Sequence, residues 1–107
     1  MTIRYKNAKV DLTTTNATDI FTIPNATTAV IKSILFSEDS GNADTITLTL
    51  TDSASAIFSL FKVKAVSANT TVELLTAPLV LAESEKITAQ AATANRLHVV
   101  VSYMEIS

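Results

Sequence analysis

Few side chains in this sequence could do chemistry. His98 is the single histidine, and it sits between Leu97 and Val99 in a segment that alternates like a strand, which points it away from the face those two occupy. One imidazole cannot supply a multi-histidine metal site, and no serine and carboxylate are spaced to complete a nucleophilic triad with it. His98 therefore reads as a surface or interface residue, with a pH-sensitive contact as the alternative. Carboxylates come close together twice, as Glu38 with Asp39 and as Glu83 with Glu85. Paired acids can hydrolyse glycosides or hold calcium. Neither pair has the glycine or the dense Asp/Asn spacing of a calcium loop, so both read as solvated loops, with an ion site as the alternative. Asn16, Asn25 and Asn69 each begin an Asn-x-Thr triplet, and these read as turns.

Composition narrows the chemistry further. With no cysteine and one glycine, the chain has neither a disulfide framework, nor thiolate metal ligands, nor a glycine-rich phosphate loop. No catalytic residue, metal or cofactor is expected. The eight Lys and Arg residues are scattered from Arg4 to Arg96 and the net charge is −2, so there is no basic footprint for nucleic acid. No run approaches the roughly 18 apolar residues of a membrane helix. The first residues lack a signal-peptide core, which leads to the expectation of a protein made and kept in the cytoplasm or assembled into something there. Hydrophobic residues make up 48% of the chain and charged residues 17%, against about 25% charged in ordinary soluble domains. That excess of apolar over charged surface calls for a protein partner.

The elements that must position these residues are strands. Through Asp44–Thr51 apolar and hydroxyl residues alternate strictly, which predicts a strand with Ile46, Leu48 and Leu50 on a dry face and Thr45, Thr47, Thr49 and Thr51 on a wet one. In Thr28–Ser37 apolar residues fall on both parities, which predicts a strand covered on both faces for part of its length. Between these two, the loop with Gly41 is the expected site of a positive φ, and residues 28 to 51 are expected to form a β-hairpin. Further strands are expected within Thr2–Leu12, with a break near Asn7, and at Asp19–Ile23, closed by Pro24. Others follow at Ile57–Val66, Thr70–Thr76, Leu79–Leu81, Lys86–Ala91 and Arg96–Ile106. Short strands with turn signals at this spacing predict one all-β domain over residues 1–107, with residues 1–12 as an extended arm or first strand. An antiparallel, jelly-roll-like β-sandwich of about eight strands is expected, with a small β-barrel as second choice.

Several segments together resemble small virion proteins of tailed bacteriophages with β-sandwich folds. They are Val10–Thr18, Ile20–Pro24 with Thr27–Ile34, Pro78–Leu81 with Glu83–Thr88, and Val101–Ile106. Where such sequences often carry Ala-Gly-Asp before the following strand, this chain has Glu83-Ser84-Glu85, without the glycine. The resemblance implies a non-enzymatic structural protein of the virion, assembled in the host cytoplasm. Its implied role is capsid decoration or cement, bound to the major capsid protein or other virion proteins, as a trimer or dimer. A neck, tail or tail-fibre component, including a receptor- or glycan-binding module, is the alternative. The apolar residues expected to meet a partner are Phe58, Leu60, Val100 and Met104, with Ile31 and Leu35.

Overall fold

The structure, a computed structural model, describes residues 1–107. It contains nine strands: β1 (Ile3–Leu12), β2 (Thr18–Thr22), β3 (Thr28–Glu38), β4 (Asp44–Thr51), β5 (Ile57–Val66), β6 (Thr71–Glu73), β7 (Leu79–Leu81), β8 (Lys86–Ala91) and β9 (Leu97–Ile106). One sheet runs β1-β9-β3-β6, with β7 also paired to β3, and the other runs β2-β8-β4-β5. All pairings are antiparallel. If β6 and β7 are counted as one interrupted strand, two four-stranded layers face each other in jelly-roll order. We call them the β9 sheet and the β4 sheet.

β4 follows its own sequence pattern: Ile46 and Leu48 are fully buried, Leu50 is half-buried, and the intervening threonines face outward. Ile87, Ala89 and Ala91 of β8 line the same side, and Ile34, Phe36, Val99 and Val101 of the opposite sheet complete the core. The expected hairpin over residues 28 to 51 does not exist. β3 and β4 belong to different layers, so the Gly41 loop is a crossover between sheets, although Gly41 does adopt the expected positive φ of 83°.

β3 is not covered on both faces either. Its pairing with β9 slips between Ile31 and Ser33, and this bulge at Lys32 changes which parity points inward. Ala29 and Ile31 face the core before it, and Ile34, Phe36 and Glu38 face the core after it. The expectation that Ile31 meets a partner is therefore wrong, because Ile31 is fully buried.

β1 has no break at Asn7. It pairs with β9 in unbroken register from Ile3↔Ile106 to Leu12↔Leu97. Residues Met1–Asn7 are exposed on both parities, whereas Ala8, Val10 and Leu12 are progressively buried. The β9 sheet thus overhangs the β4 sheet at one end of a molecule 44 Å long. At the base of this overhang Tyr103 of β9 stacks across the two layers on Phe21 of β2, with centroids 4.6 Å apart.

With a single glycine, other residues must enter the left-handed backbone region at turns. Ala26, Ser55, Asn69, Ser84 and Asn95 do so. Ser84, at φ 65°, occupies the place where a glycine is missing from Glu83-Ser84-Glu85. Val63 is different because it lies within β5, at φ 53°, where β5 slips against β4 between Ile46 and Leu48. A β-branched residue in this region is strained.

Two stability measurements check this account. Leu48→Ala is expected to cost about 2–5 kcal/mol in urea unfolding, while Thr49→Ala stays within about 0.5 kcal/mol. Val63→Gly is expected to stabilise the domain by about 0.5–1 kcal/mol, because relief of the strained φ outweighs the added chain entropy.

Candidate protein-interaction surface

Three of the four carboxylates singled out above, Glu38, Glu83 and Glu85, serve the backbone. Glu38, only 2% exposed, is not in a solvated loop. It ends β3 pointing inward and accepts hydrogen bonds from the N–H groups of Ser40 (2.9 Å), Gly41 (3.0 Å), Asn42 (3.1 Å) and Asn69 (3.2 Å), and from the Ser40 hydroxyl. Burial alone would raise its pKa. The Ser40 hydroxyl and the Ser40, Asn69 and Gly41 amides outweigh that effect and hold it at about 2.

Glu73 works in a similar way where β6 stops. It accepts from the Ser33 hydroxyl and from the N–H groups of Ile34 (2.8 Å) and Leu75 (3.3 Å), so its carboxylate takes the place of a strand beside the β3 bulge. These bonds lower its pKa against the opposing effect of burial. Glu83 and Glu85 sit in an exposed turn and accept from the N–H groups of Ala26 (2.6 Å) and Ala82 (2.7 Å).

His98 lies on the outer surface between Asp11 (Nε2 to Oδ1, 3.3 Å) and Asp39 (Nδ1 to Oδ2, 3.8 Å). No group of three or more His, Cys, Asp or Glu residues is placed to hold a metal ion.

The outer face of the β9 sheet carries apolar residues in register. Tyr5 stands opposite Met104, Met104 opposite Val30, and Val30 opposite Val80. This row crosses four strands, with Tyr5 80% and Val80 60% exposed. Ile3, 48% exposed, and Ile106 lie alongside it. Beyond a polar band of Asn7, Ser102 and Ser33, a second group pairs Val100 with Leu35, flanked by Lys9 and Glu73. Such ordered apolar rows on a solvent face make this side the candidate contact surface.

Of the residues expected to meet a partner, Val100, Leu35 and Met104 come together on this face. Phe58 and Leu60 do not join them. Phe58 is 54% exposed on β5 of the other sheet. Leu60 is half-buried against the core beside a shallow apolar groove of about 240 Å3 bounded by Phe61, Leu74, Leu75 and Leu79. Tyr5, Val80 and Ile3 were missed, whereas Val30 begins the stretch Val30–Phe36 in which partner contacts are expected. Their signal is the shared parity of Ile3 and Tyr5 with Asn7, Lys9 and Asp11, and the opposite parity of Val80 to Leu79 and Leu81.

The outer face of the β4 sheet is mostly polar, with Ile57 exposed at its β5 edge. A groove of about 500 Å3 there has Thr47, Thr49, Thr88 and Gln90 in its lining, beside the Asp19–Lys86 ion pair at 3.3 Å. Its lining offers hydrogen bonds but no aromatic platform.

No protein-family model matches the chain, and no curated protein matches it. A solved structure similar to it is a subunit from Bacillus endospore appendages, described as a novel family of disulfide-linked pili. That likeness has a TM-score of 0.54 at 13% identity and covers 97% of this chain and 86% of the other. At this identity it shows the shared β-sandwich fold. The disulfide linkage belongs to that protein, since this chain has no cysteine.

The Glu38 anchor has a measurable pH signature. A carboxylate whose pKa is about 2 when folded, against 4.5 ordinarily, stabilises fully above pH 4.5 and loses that contribution as pH falls toward 2. Glu38→Gln is expected to lower the thermal midpoint by several degrees at pH 7. It should also flatten the midpoint's fall between pH 4.5 and 2.

Proposed function

We propose that this protein is a non-enzymatic structural component of a tailed-bacteriophage particle, most simply a capsid decoration protein. On this reading the outer face of the β9 sheet packs on major capsid subunits. The observation that carries the proposal is the outward-facing row Tyr5–Met104–Val30–Val80, in register across four strands and exposed at both ends. An apolar face of this kind suits burial in an interface, where it contributes through the hydrophobic effect. The sequence resemblance to small virion β-sandwiches supports the particle assignment. Glu38, Glu83 and Glu85 support a structural role, because each is committed to backbone amides. A second reading, a glycan-binding module of a tail fibre, is favoured by the threonine-lined groove on the β4 sheet and would be tested on a glycan array.

Gel densitometry of purified particles is expected to give on the order of hundreds of copies, as a symmetric shell requires. About six or twelve copies would instead place the protein in the neck or tail. Val80→Lys with Met104→Lys is expected to leave the fold intact and abolish co-sedimentation with particles lacking the protein. Unchanged co-sedimentation would remove the β9-sheet face from the proposal.

A further inference from the structure

Four strand edges bound the two sheets, and three of them are blunted. β5 slips twice against β4, carries the strained Val63, and sets Lys64 opposite the buried Ile46. β2 has five residues and a register shift. β6 and β7 have three residues each, with Pro78 before β7. Short length, bulges and inward-placed charges are the devices that keep edges from pairing.

The β1 edge is neither short nor bulged, and its charges on the inward parity, Arg4 and Lys6, lie in the overhang, where Lys6 pairs with Glu105 of its own sheet at 3.1 Å. It runs ten residues without a register shift. Thr2 and Ser107 exchange both backbone hydrogen bonds, at 2.7 and 2.9 Å. By antiparallel alternation the even-numbered residues of β1 bond to β9, and Ile3, Tyr5, Asn7, Lys9 and Asp11 direct their N–H and C=O groups away from it. No strand lies on that side.

We infer that β1 pairs with β1 of a second copy, antiparallel about a two-fold axis at Asn7, joining two β9 sheets into one continuous sheet. The two-fold follows from charge. Centring the pair on Tyr5 would set Arg4 against the partner's Lys6, and centring it on Lys6 or Lys9 would set lysine against lysine. Directly opposed like charges destabilise a strand pair.

Centring on Asn7 opposes Tyr5 to the partner's Lys9, a cation–π pairing, and Ile3 to the partner's Asp11. On the other face it opposes Arg4 to the partner's Val10 and Lys6 to the partner's Ala8. It uses all five outward residues, for roughly ten backbone hydrogen bonds. A centre at Ala8 also avoids like charges but leaves Ile3 unpaired. Both outer apolar rows then lie on the same side of the joined sheet. This pairing does not rest on the particle assignment, since it is read on the isolated chain.

The test is the solution mass of the purified full chain by sedimentation equilibrium, with Asn7→Pro as the variant. Proline at position 7 removes an amide that faces away from β9, so the internal ladder is kept. The expected result is twice the 11.4 kDa chain mass for the natural sequence, and a folded monomer with an unchanged circular dichroism spectrum for Asn7→Pro. Amide exchange of the natural protein gives an independent reading, with Tyr5, Asn7 and Lys9 protected more strongly as concentration rises. A monomeric natural chain, a trimer, an open polymer, a dimer unaffected by Asn7→Pro, or unprotected amides at those three positions would each overturn the inference.

Discussion

Each sheet of this molecule can bury only one of its faces, and the burial of Ile46, Leu48 and Ile87 against Ile34, Phe36, Val99 and Val101 is the constraint on which the rest depends. That burial sets the inward parity of every strand, since a one-residue slip would exchange buried for exposed side chains. In two strands with apolar residues on both parities, the backbone bulges. Lys32 in β3 and the Lys62–Val63 region of β5 are the places. What the core does not take is left on the outer faces and edges, and there the chain meets its surroundings.

Loops in a chain with one glycine need another source of order, and carboxylates supply it. Glu38 gathers the crossover between β3 and β4 and ties it to Asn69. Asp52 caps the β4–β5 hairpin through the N–H groups of Ala54 and Ala56, both at 2.9 Å, and Asp44 receives the N–H of Thr93 at 3.1 Å. A charged acceptor forms stronger hydrogen bonds than a neutral one. These carboxylates act as structural anchors for the loops they bind.

The two outer faces differ in kind. On the β4 sheet the threonines follow from strand propensity and leave a wet, hydrogen-bonding surface. On the β9 sheet Tyr5, Met104, Val30 and Val80 come from four separate strands, and only their register makes them a row. Because the β9 sheet overhangs its partner, part of this row lies on strands supported from one side, next to the free β1 edge. Face and edge therefore adjoin.

Side-chain alternation is a local property of the extended backbone, so the sequence alone determined that the chain is all-β, where most strands lie, and that Ile46, Leu48 and Leu50 face inward. It also placed Val100 and Met104 on an outer face. Strand pairing is non-local, and only the tertiary structure decided that β3 and β4 part into different sheets, that Ile31 is buried beyond a bulge, and that Glu38 is an inward anchor. The row from Tyr5 to Val80 was illegible for the same reason. Its members are far apart in sequence, and they become neighbours only when hydrogen bonding between strands fixes which residue stands opposite which.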